Sequence, residues 1–358
     1  MDQFFIVLTD FWQDHYSQIM SPDSLWVLAL AIILNLIFCH EKLLNRAMKS
    51  PTAILERTID SLENRYNNPD MTDESLRSDG ISAAIFLFLL ACFIGFLLNL
   101  LHAIIPYFWL LGALFIASSI TVRMTIQHAN HLINALDRST MEARATLSLM
   151  SGRDSQDMEK TDVARAGIEY LARTLATGIL APLGYFLLAG YLGLFVYKVF
   201  YLASYMLDVR DQLSKNFGIA ATKTHDLLVL PFSFLAFLII SLISLVSRRQ
   251  TFMASLKIAL QQTSRISQGF AVWPVGAFAG ALGLKLGGPI CFENFCIDKD
   301  WIGNGLKEAD HLHLQSALAT IKKATVLLFI LFLICAVVGT TMPIDSFFAN
   351  LLAFIQSF

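Results

Sequence analysis

The chain contains an apolar segment from Ile81 to Leu101 with no charged residue along its length. A helix of this length crosses the hydrocarbon core of a bilayer, which is about 30 Å thick. Further apolar runs follow it, and 56% of all residues are hydrophobic while only 15% are charged. That composition leaves too little polar surface to cover a soluble globule. The sequence therefore predicts an all-α, polytopic membrane protein.

The apolar runs predict five or six transmembrane helices within one integral membrane domain over residues 1–358. The predicted spans lie at about residues 25–39, 81–101, 107–121, 175–197, 227–246 and 324–341. They are separated by polar regions at residues 40–80, 122–173, 198–226 and 247–323. Glycine and proline interrupt the fourth run, which is either one kinked span or two half-helices that enter and return.

The distribution of basic residues predicts the orientation in the membrane. Lys42, Arg46, Lys49 and Arg57 follow the first apolar run, and the polar region 122–173 is also rich in arginine. Because cytoplasmic loops carry an excess of Lys and Arg, we expect both regions in the cytoplasm and the N-terminus in the periplasm. Apolar residues at helical spacing within 122–173 predict amphipathic cytoplasmic helices there.

A glycine-rich segment runs from Trp273 to Pro289. Gly276, Gly280 and Gly283 recur at intervals of three or four residues, and Gly287 continues the series. On a single helix these positions form one smooth face that another backbone or a flat ligand can approach closely. The sequence predicts either a tightly packed membrane helix or a re-entrant segment that ends at Gly287-Gly288-Pro289.

Polar residues near the middle of the chain are candidates for ligand binding. Arg153 and Asp154 precede Arg165 and Glu169, which share one face of a predicted helix. An arginine beside a carboxylate at a helix start can hold a phosphate or a metal-phosphate group. The same residues can equally form a helix cap and a surface ion pair. Lys198, after the broken apolar run, belongs with Asp226 to a second polar group.

Several functional classes find no support in the sequence. There is no P-loop, no dinucleotide fingerprint, no His-Glu-x-x-His and no Gly-x-Ser-x-Gly motif. No residues at metal-ligand spacing are identified, so any metal ligands remain unknown. The net charge of −2 and the lack of a basic run predict no nucleic-acid partner.

Taken in chain order, these motifs resemble the CobD/CbiB family over most of the sequence. The matching stretches are Gly152-Arg153-Asp154-Ser155, Arg165-Ala166-Gly167-Ile168-Glu169, Gly178 to Leu183, Tyr197-Lys198, Phe217-Gly218, and Trp273-Pro274 through Leu286-Gly287-Gly288-Pro289. Members of that family are multi-pass inner-membrane proteins of cobalamin biosynthesis. The resemblance therefore implies a location in the bacterial inner membrane.

The resemblance also implies a chemistry, namely the ATP-dependent formation of an amide bond. The bond joins a carboxylate of a corrinoid side chain to aminopropanol or its phosphate, with ATP and Mg²⁺ as cofactors. Membrane lipid, the corrinoid substrate and other membrane-protein subunits are the implied partners. The implied catalytic candidates are Arg153, Asp154, Arg165 and Glu169. The implied candidates for binding substrate or phosphate are Lys198, Asp226, Lys285, Gly287 and Gly288.

The chain departs from the family pattern at several polar positions. Arg173-Thr174 stands where the family has Glu-Asn, Phe270-Ala271-Val272 where it has Asn-Ala-Gly, and Val275 where it has Glu. Small and turn-forming residues are kept, while many carboxylates and amides are replaced. Two alternatives therefore stand beside an active synthase. One is a catalytically inactive homologue that acts as a membrane regulator, as the AmpE proteins do, and the other is an accessory subunit of a membrane complex.

Overall fold

A computed structural model of the chain describes residues 22–38, 51–67, 71–105, 107–152, 154–207, 212–247, 249–263, 272–292, 295–297 and 300–341. Within these ranges, five helical segments are long and apolar enough to cross a membrane. They are Asp73–Ile104, Phe108–Arg138, Lys160–Leu207, Asn216–Val246 and His311–Val338. The prediction of an all-α membrane protein is therefore confirmed.

Twelve α-helices and four short strands make up the described part of the chain. The helices are α1 Pro22–Phe38, α2 Pro51–Tyr66, α3 Asp73–Ile104, α4 Phe108–Ser119, α5 Val122–Arg138, α6 Thr140–Ser151, α7 Lys160–Thr174, α8 Ala181–Leu207, α9 Gln212–Ser247, α10 Arg249–Thr263, α11 Val272–Leu282 and α12 His311–Thr341. A π-helical turn, Leu175–Leu180, joins α7 to α8. The strands are β1 Leu286–Gly287, β2 Ile290–Phe292, β3 Phe295–Ile297 and β4 Trp301–Ile302.

The strands form two antiparallel pairs between α11 and α12. β1 pairs with β4, so that Leu286 faces Ile302 and Gly287 faces Trp301 in the register. β2 pairs with β3, and this second pair lies between β1 and β4 in the sequence. The pairing brings the end of the glycine-rich segment next to Trp301, which follows it by fourteen residues (301 − 287).

The predicted amphipathic region 122–173 contains three helices, α5, α6 and α7. Ser139 follows α5 and caps the start of α6: its backbone is extended, and its hydroxyl accepts a hydrogen bond from Glu142 N. Gly152 follows the end of α6, and its φ of 68° is the left-handed conformation that glycine adopts most easily. A capping box between Glu159 and Asp162 then starts α7. The polar residues of this region thus set the helix boundaries.

The broken apolar run folds back on itself at Ala189 and Gly190, where the backbone leaves helical geometry. The hydroxyl of Tyr197 donates to the carbonyl of Thr177, and the Tyr197 ring stacks on Tyr185 at 5.3 Å between centroids. Thr177 and Tyr197 would lie about 30 Å apart on a straight helix. The segment is therefore a helical hairpin rather than one straight helix.

The outer helices carry the apolar surface of the protein. α3 leaves Phe93 and Phe96 more than 60% exposed, and exposed apolar side chains also line α9 and α12. The buried residues form a large core that includes α7, the π-turn and the first part of α8, and a smaller cluster formed by α2, α3, the end of α8 and α9. An apolar outside around a packed inside is the pattern expected where lipid is the solvent.

The glycine-rich segment is not one helix, and the prediction of a single four-glycine face was wrong. α11 ends at Leu282, so only Gly276 and Gly280 lie within it. Gly283 and Gly287 have φ values of 67° and 79°, which end the helix and turn the chain towards β1. Their spacing matched a helical period, but left-handed backbone geometry cannot be read from spacing.

The two glycines Gly280 and Gly283 should respond differently to enlargement. A Cβ at Gly280 would lie 2.4 Å from the carbonyl oxygen of Ala254 and 2.5 Å from Cα of Ser255, whereas a Cβ at Gly283 would meet nothing within 4 Å. We expect Gly280→Leu to separate α10 from α11 and abolish monodispersity in detergent. Gly283→Leu should only lower stability by about 1–2 kcal/mol, through backbone strain. Size-exclusion profiles and melting curves of the two variants check these expectations. An equal loss of monodispersity and stability in both variants would contradict the different roles given to Gly280 and Gly283.

Candidate functional site

A cavity of about 330 Å³ opens beside α7, close to the β1–β4 pair. Its volume is at the lower end of the range typical of small-molecule sites. Four of the lining side chains are carboxylates and one is an arginine. The lining residues of this cavity, called here the Arg165 cavity, are Asp154, Asp157, Met158, Asp162, Arg165, Ala166, Glu169, Gly287, Pro289 and Trp301.

The loop before α7 is fixed by hydrogen bonds to α6. Arg144 Nε donates to the carbonyl of Met158 at 2.6 Å, and Ser155 Oγ donates to the carbonyl of Arg144 at 2.7 Å. Asp154 Oδ1 accepts from Gln156 N at 3.0 Å, which shapes the turn itself. Asp154 is therefore held at the cavity by loop geometry rather than by a long flexible connection.

The polar face of α7 supplies the floor of the cavity. Asp162, Arg165 and Glu169 are separated by three and four residues, which places them on one side of a helix. Arg165 Nη2 is paired with Asp162, and its side chain is only 12% exposed. Arg165 Nη1 is buried and has no hydrogen-bond partner among the described residues. A buried donor of this kind is available to a ligand oxygen.

Glu169 connects α7 to the end of the glycine-rich segment. Gly287 N donates to Glu169 Oε1 at 2.8 Å, across 118 residues of chain, and the Glu169 side chain is buried. A Cβ at Gly287 would lie 2.8 Å from the carbonyl oxygen of Asp300, and its φ is +79°. Glycine is therefore required for β1 to approach both Glu169 and the neighbouring strand.

Trp301 lies among three cationic groups. The guanidinium carbon of Arg165 is 4.7 Å from the ring centroid, and Nζ of Lys307 and Lys285 are 5.1 and 5.8 Å away. These distances are within the range of cation–π attraction. Gly288 is buried behind the same ring, because a Cβ there would come within 3 Å of three indole carbons. The indole therefore has a defined position beside the cavity.

The donor set of the Arg165 cavity fits a magnesium–phosphate group better than a bare metal ion. Among the described residues no cluster of three or more His, Cys, Asp or Glu side chains could hold a metal. Mg²⁺, however, is commonly bound by one or two carboxylates, with phosphate oxygens and water completing its shell. Asp154 and Asp157 line the cavity together with Arg165 and could share such an ion with a phosphate, while Asp162 pairs with Arg165.

The structure brings together most of the first group of predicted site residues. Asp154, Arg165, Glu169 and Gly287 line the Arg165 cavity. Lys285 and Gly288 flank Trp301 at its edge. Arg153 lies outside the described residues.

The second polar group, Lys198 and Asp226, does not reach the Arg165 cavity. Lys198 is buried in the second arm of the hairpin, where Nζ donates to the carbonyl of Ser119 at 3.1 Å and lies 4.8 Å from the Tyr201 ring. Asp226 lies on α9, with a carboxylate oxygen 4.0 Å from His225 Nδ1. Lys198 is the hydrogen-bond donor to a carbonyl at the end of α4, and neither Lys198 nor Asp226 is among the residues that line the Arg165 cavity.

Four residues beside the Arg165 cavity were not singled out from the sequence: Asp157, Asp162, Lys307 and Trp301. Asp162 could have been found, because it precedes Arg165 by three residues on the same helical face. Asp157 stands in the same short polar segment as Asp154. Trp301 and Lys307 gave no local signal, since only the pairing of β1 with β4 brings them near α7.

Comparisons with known proteins agree with this set of motifs. A model described as the CobD/Cbib protein family matches residues 28–321, which include every residue that lines the cavity. The chain belongs to the CobD/CbiB family. No solved structure matches it.

Several curated relatives carry the name cobalamin biosynthesis protein CobD. The protein of Sinorhizobium sp is 30% identical over 273 residues, which cover 75% of this chain and 84% of the relative. The protein of Brucella suis is 28% identical over 302 residues, or 82% of this chain and 91% of the relative. The protein of Klebsiella pneumoniae is 28% identical over 213 residues, or 59% and 66% of the two chains.

The Glu169–Gly287 hydrogen bond should be necessary for the stability of this region. Glu169→Ala removes the acceptor and leaves a buried N–H without a partner, which typically costs about 1–3 kcal/mol. Glu169→Gln keeps a carbonyl oxygen in the same place and should retain most of the stability. Thermal unfolding of the purified variants in detergent checks the difference. If both substitutions lowered the melting temperature equally, the carboxylate charge rather than the hydrogen bond would be what matters.

Proposed function

We propose that the protein is an active cobalamin-biosynthesis ligase. It would join a corrinoid side-chain carboxylate to aminopropanol or its phosphate in an ATP-dependent reaction that yields an amide. The observation that carries this proposal is the convergence of family motif residues on one cavity. Asp154, Arg165, Glu169 and Gly287 come from two distant parts of the sequence, yet line the same space.

The chemistry of the cavity suits a reaction that handles phosphate. Arg165 would neutralise phosphate oxygens through its free Nη1, while Asp162 holds the other end of the guanidinium. Asp154 and Asp157 would share Mg²⁺ with those phosphates, and the ion would offset negative charge. The same carboxylates would attract the ammonium group of an amino alcohol. Catalysis would thus depend on positioning and electrostatic stabilisation.

The replaced family positions are compatible with an active ligase if they lie away from the site. Val275 is buried in α11, and none of Arg173, Thr174 and Val275 lines the Arg165 cavity. The polar residues that do line it keep a phosphate-binding set. This favours the active ligase over the regulator and the accessory subunit.

The proposal extends to the membrane that holds the protein and to its orientation. We place it in the bacterial inner membrane, with the N-terminus in the periplasm and the Arg165 cavity facing the cytoplasm. The arginine-rich region 122–173 supports this orientation, since positively charged loops stay in the cytoplasm. ATP and Mg²⁺ are available on that side.

Complementation tests the activity directly. In a bacterial strain lacking its own synthase, this protein should restore growth on cobyric acid without added cobinamide. Arg165→Gln should lower kcat/KM by about 10²–10³, since loss of one preorganised charge has that typical effect. Arg138→Gln is the matched control, because Arg138 is also paired with a carboxylate four residues away in sequence, Glu142, but is exposed and does not line the cavity. Failure of the unaltered, membrane-inserted protein to complement would favour the inactive homologue.

Single-cysteine labelling tests the orientation on a background without the five natural cysteines. Asn64 precedes α3 in the sequence and Gln156 follows α4, and both side chains are exposed. Tyr107 lies between the two helices and is also exposed. We expect Asn64→Cys and Gln156→Cys to react with a membrane-impermeant reagent only after the cytoplasmic face is opened. Tyr107→Cys should react in intact cells. Labelling of Gln156→Cys from outside would place the cavity in the periplasm and exclude the proposed orientation.

A further inference from the structure

Trp301 is the point around which the cations of the Arg165 cavity are arranged. Arg165, Lys285 and Lys307 come from three separate segments, yet each places its charge within 6 Å of the indole centroid. Trp is the aromatic residue with the strongest attraction for cations. One ring with three cationic neighbours is therefore an observation that needs a physical account.

The backbone explains how the cations reach the ring. Gly287 faces Trp301 in the β1–β4 pair, and Lys285 N donates to the carbonyl of Leu306 at 2.8 Å. Lys285 and Lys307 therefore extend from two chain segments that are hydrogen-bonded to each other. Gly288 N donates to the carbonyl of Asp300 at 3.2 Å, which holds the chain against the indole.

The two lysines beside the ring have no ion-pair partner within the described part of the chain. Arg165, in contrast, is paired with Asp162 and has Glu169 as an electrostatic neighbour. Arg165 Nη1 is also buried without a hydrogen-bond partner in the same part. Like charges brought close together repel, and a bound anion removes that repulsion. A phosphoryl group offers several acceptor oxygens to a guanidinium and two ammonium groups at once.

We propose that Trp301 is a positioning residue that holds Arg165, Lys285 and Lys307 as one phosphoryl-binding subsite of the Arg165 cavity. This inference rests on the proposed function for the identity of the phosphorylated substrate. The indole fixes the guanidinium beside the cavity, so that Nη1 is available to a phosphoryl oxygen while Nη2 remains on Asp162. The two lysines add charge at the exposed edge of the same subsite.

Three sources could offer that phosphoryl group: a nucleoside triphosphate, a phosphorylated amino alcohol and an anionic lipid headgroup. Calorimetry with the full-length protein in nanodiscs separates them. In zwitterionic nanodiscs the probes are a non-hydrolysable ATP analogue with Mg²⁺, O-phosphorylated aminopropanol and inorganic phosphate. In nanodiscs with anionic lipid, competition by the headgroup would weaken the binding of all three. If all three probes lose affinity in the anionic nanodiscs, the lipid headgroup is the occupant. If one soluble probe binds more tightly than the other two, that probe identifies the substrate.

Substitutions at the ring distinguish cation–π positioning from packing. Trp301→Leu should weaken binding of the preferred probe by about 10-fold, whereas Trp301→Phe, which keeps an aromatic face, should stay within about 3-fold. Lys285→Gln and Lys307→Gln should each weaken it several-fold and reduce its dependence on salt. Lys257→Gln, at an exposed position on α10, is the control and should leave affinity unchanged. Equal losses in Trp301→Phe and Trp301→Leu, or unchanged affinity in all four variants, would overturn the inference.

Activity measurements keep this inference separate from the proposed function. If the unaltered protein binds a phosphorylated probe through these residues but forms no amide, the ligase proposal fails and the subsite stands. If it forms the amide while Trp301→Leu changes neither the Kd nor the KM for any phosphorylated substrate, the subsite fails and the ligase proposal stands.

Discussion

The hydrogen bond from Gly287 N to the buried carboxylate of Glu169 joins the two halves of the site. A buried carboxylate is costly unless hydrogen bonds replace the water it has lost, and a buried backbone N–H has the same need. Each group therefore satisfies the other. The bond anchors β1 to α7, and the pairing of β1 with β4 then brings Trp301 over Arg165.

The same requirement for satisfied polar groups governs the membrane part of the fold. Where α4 ends before α5 begins, Asn35 Nδ2 donates to the carbonyls of Ala117 and Ile120, both at 2.9 Å. Lys198 donates to Ser119 at this break, and the hairpin places Tyr197 on Thr177. In lipid no water can take these roles, so buried side chains complete the backbone hydrogen bonding. Lys198 is thus explained by helix termination, without a ligand.

Sequence reasoning succeeded where a single local property decides the outcome. Length and apolarity predicted the membrane helices, and helical spacing put Arg165 and Glu169 on one face because α7 is regular. It failed where the result depends on backbone handedness or on distant pairing. The spacing of Gly283 fitted a helix, yet its positive φ ends one. Trp301 carries no local motif, and its place beside Arg165 follows only from strand pairing across the glycine-rich turn.

The pattern of divergence can now be interpreted in terms of position. Among the replaced family positions, Val275 stands where the family has Glu, and it is buried among apolar neighbours. An apolar residue at such a position stabilises the core directly and needs no partner. Three of the four carboxylates in the Arg165 cavity have a structural partner: Glu169 accepts from Gly287 N, Asp162 pairs with Arg165, and Asp154 accepts from Gln156 N. Asp154 and Asp157 form no ion pair with a cation in the described part of the chain, and they face a space that contains a buried arginine nitrogen. Two carboxylates without a cationic partner beside a buried guanidinium nitrogen are the arrangement that the proposed binding of a phosphate with its metal ion would use.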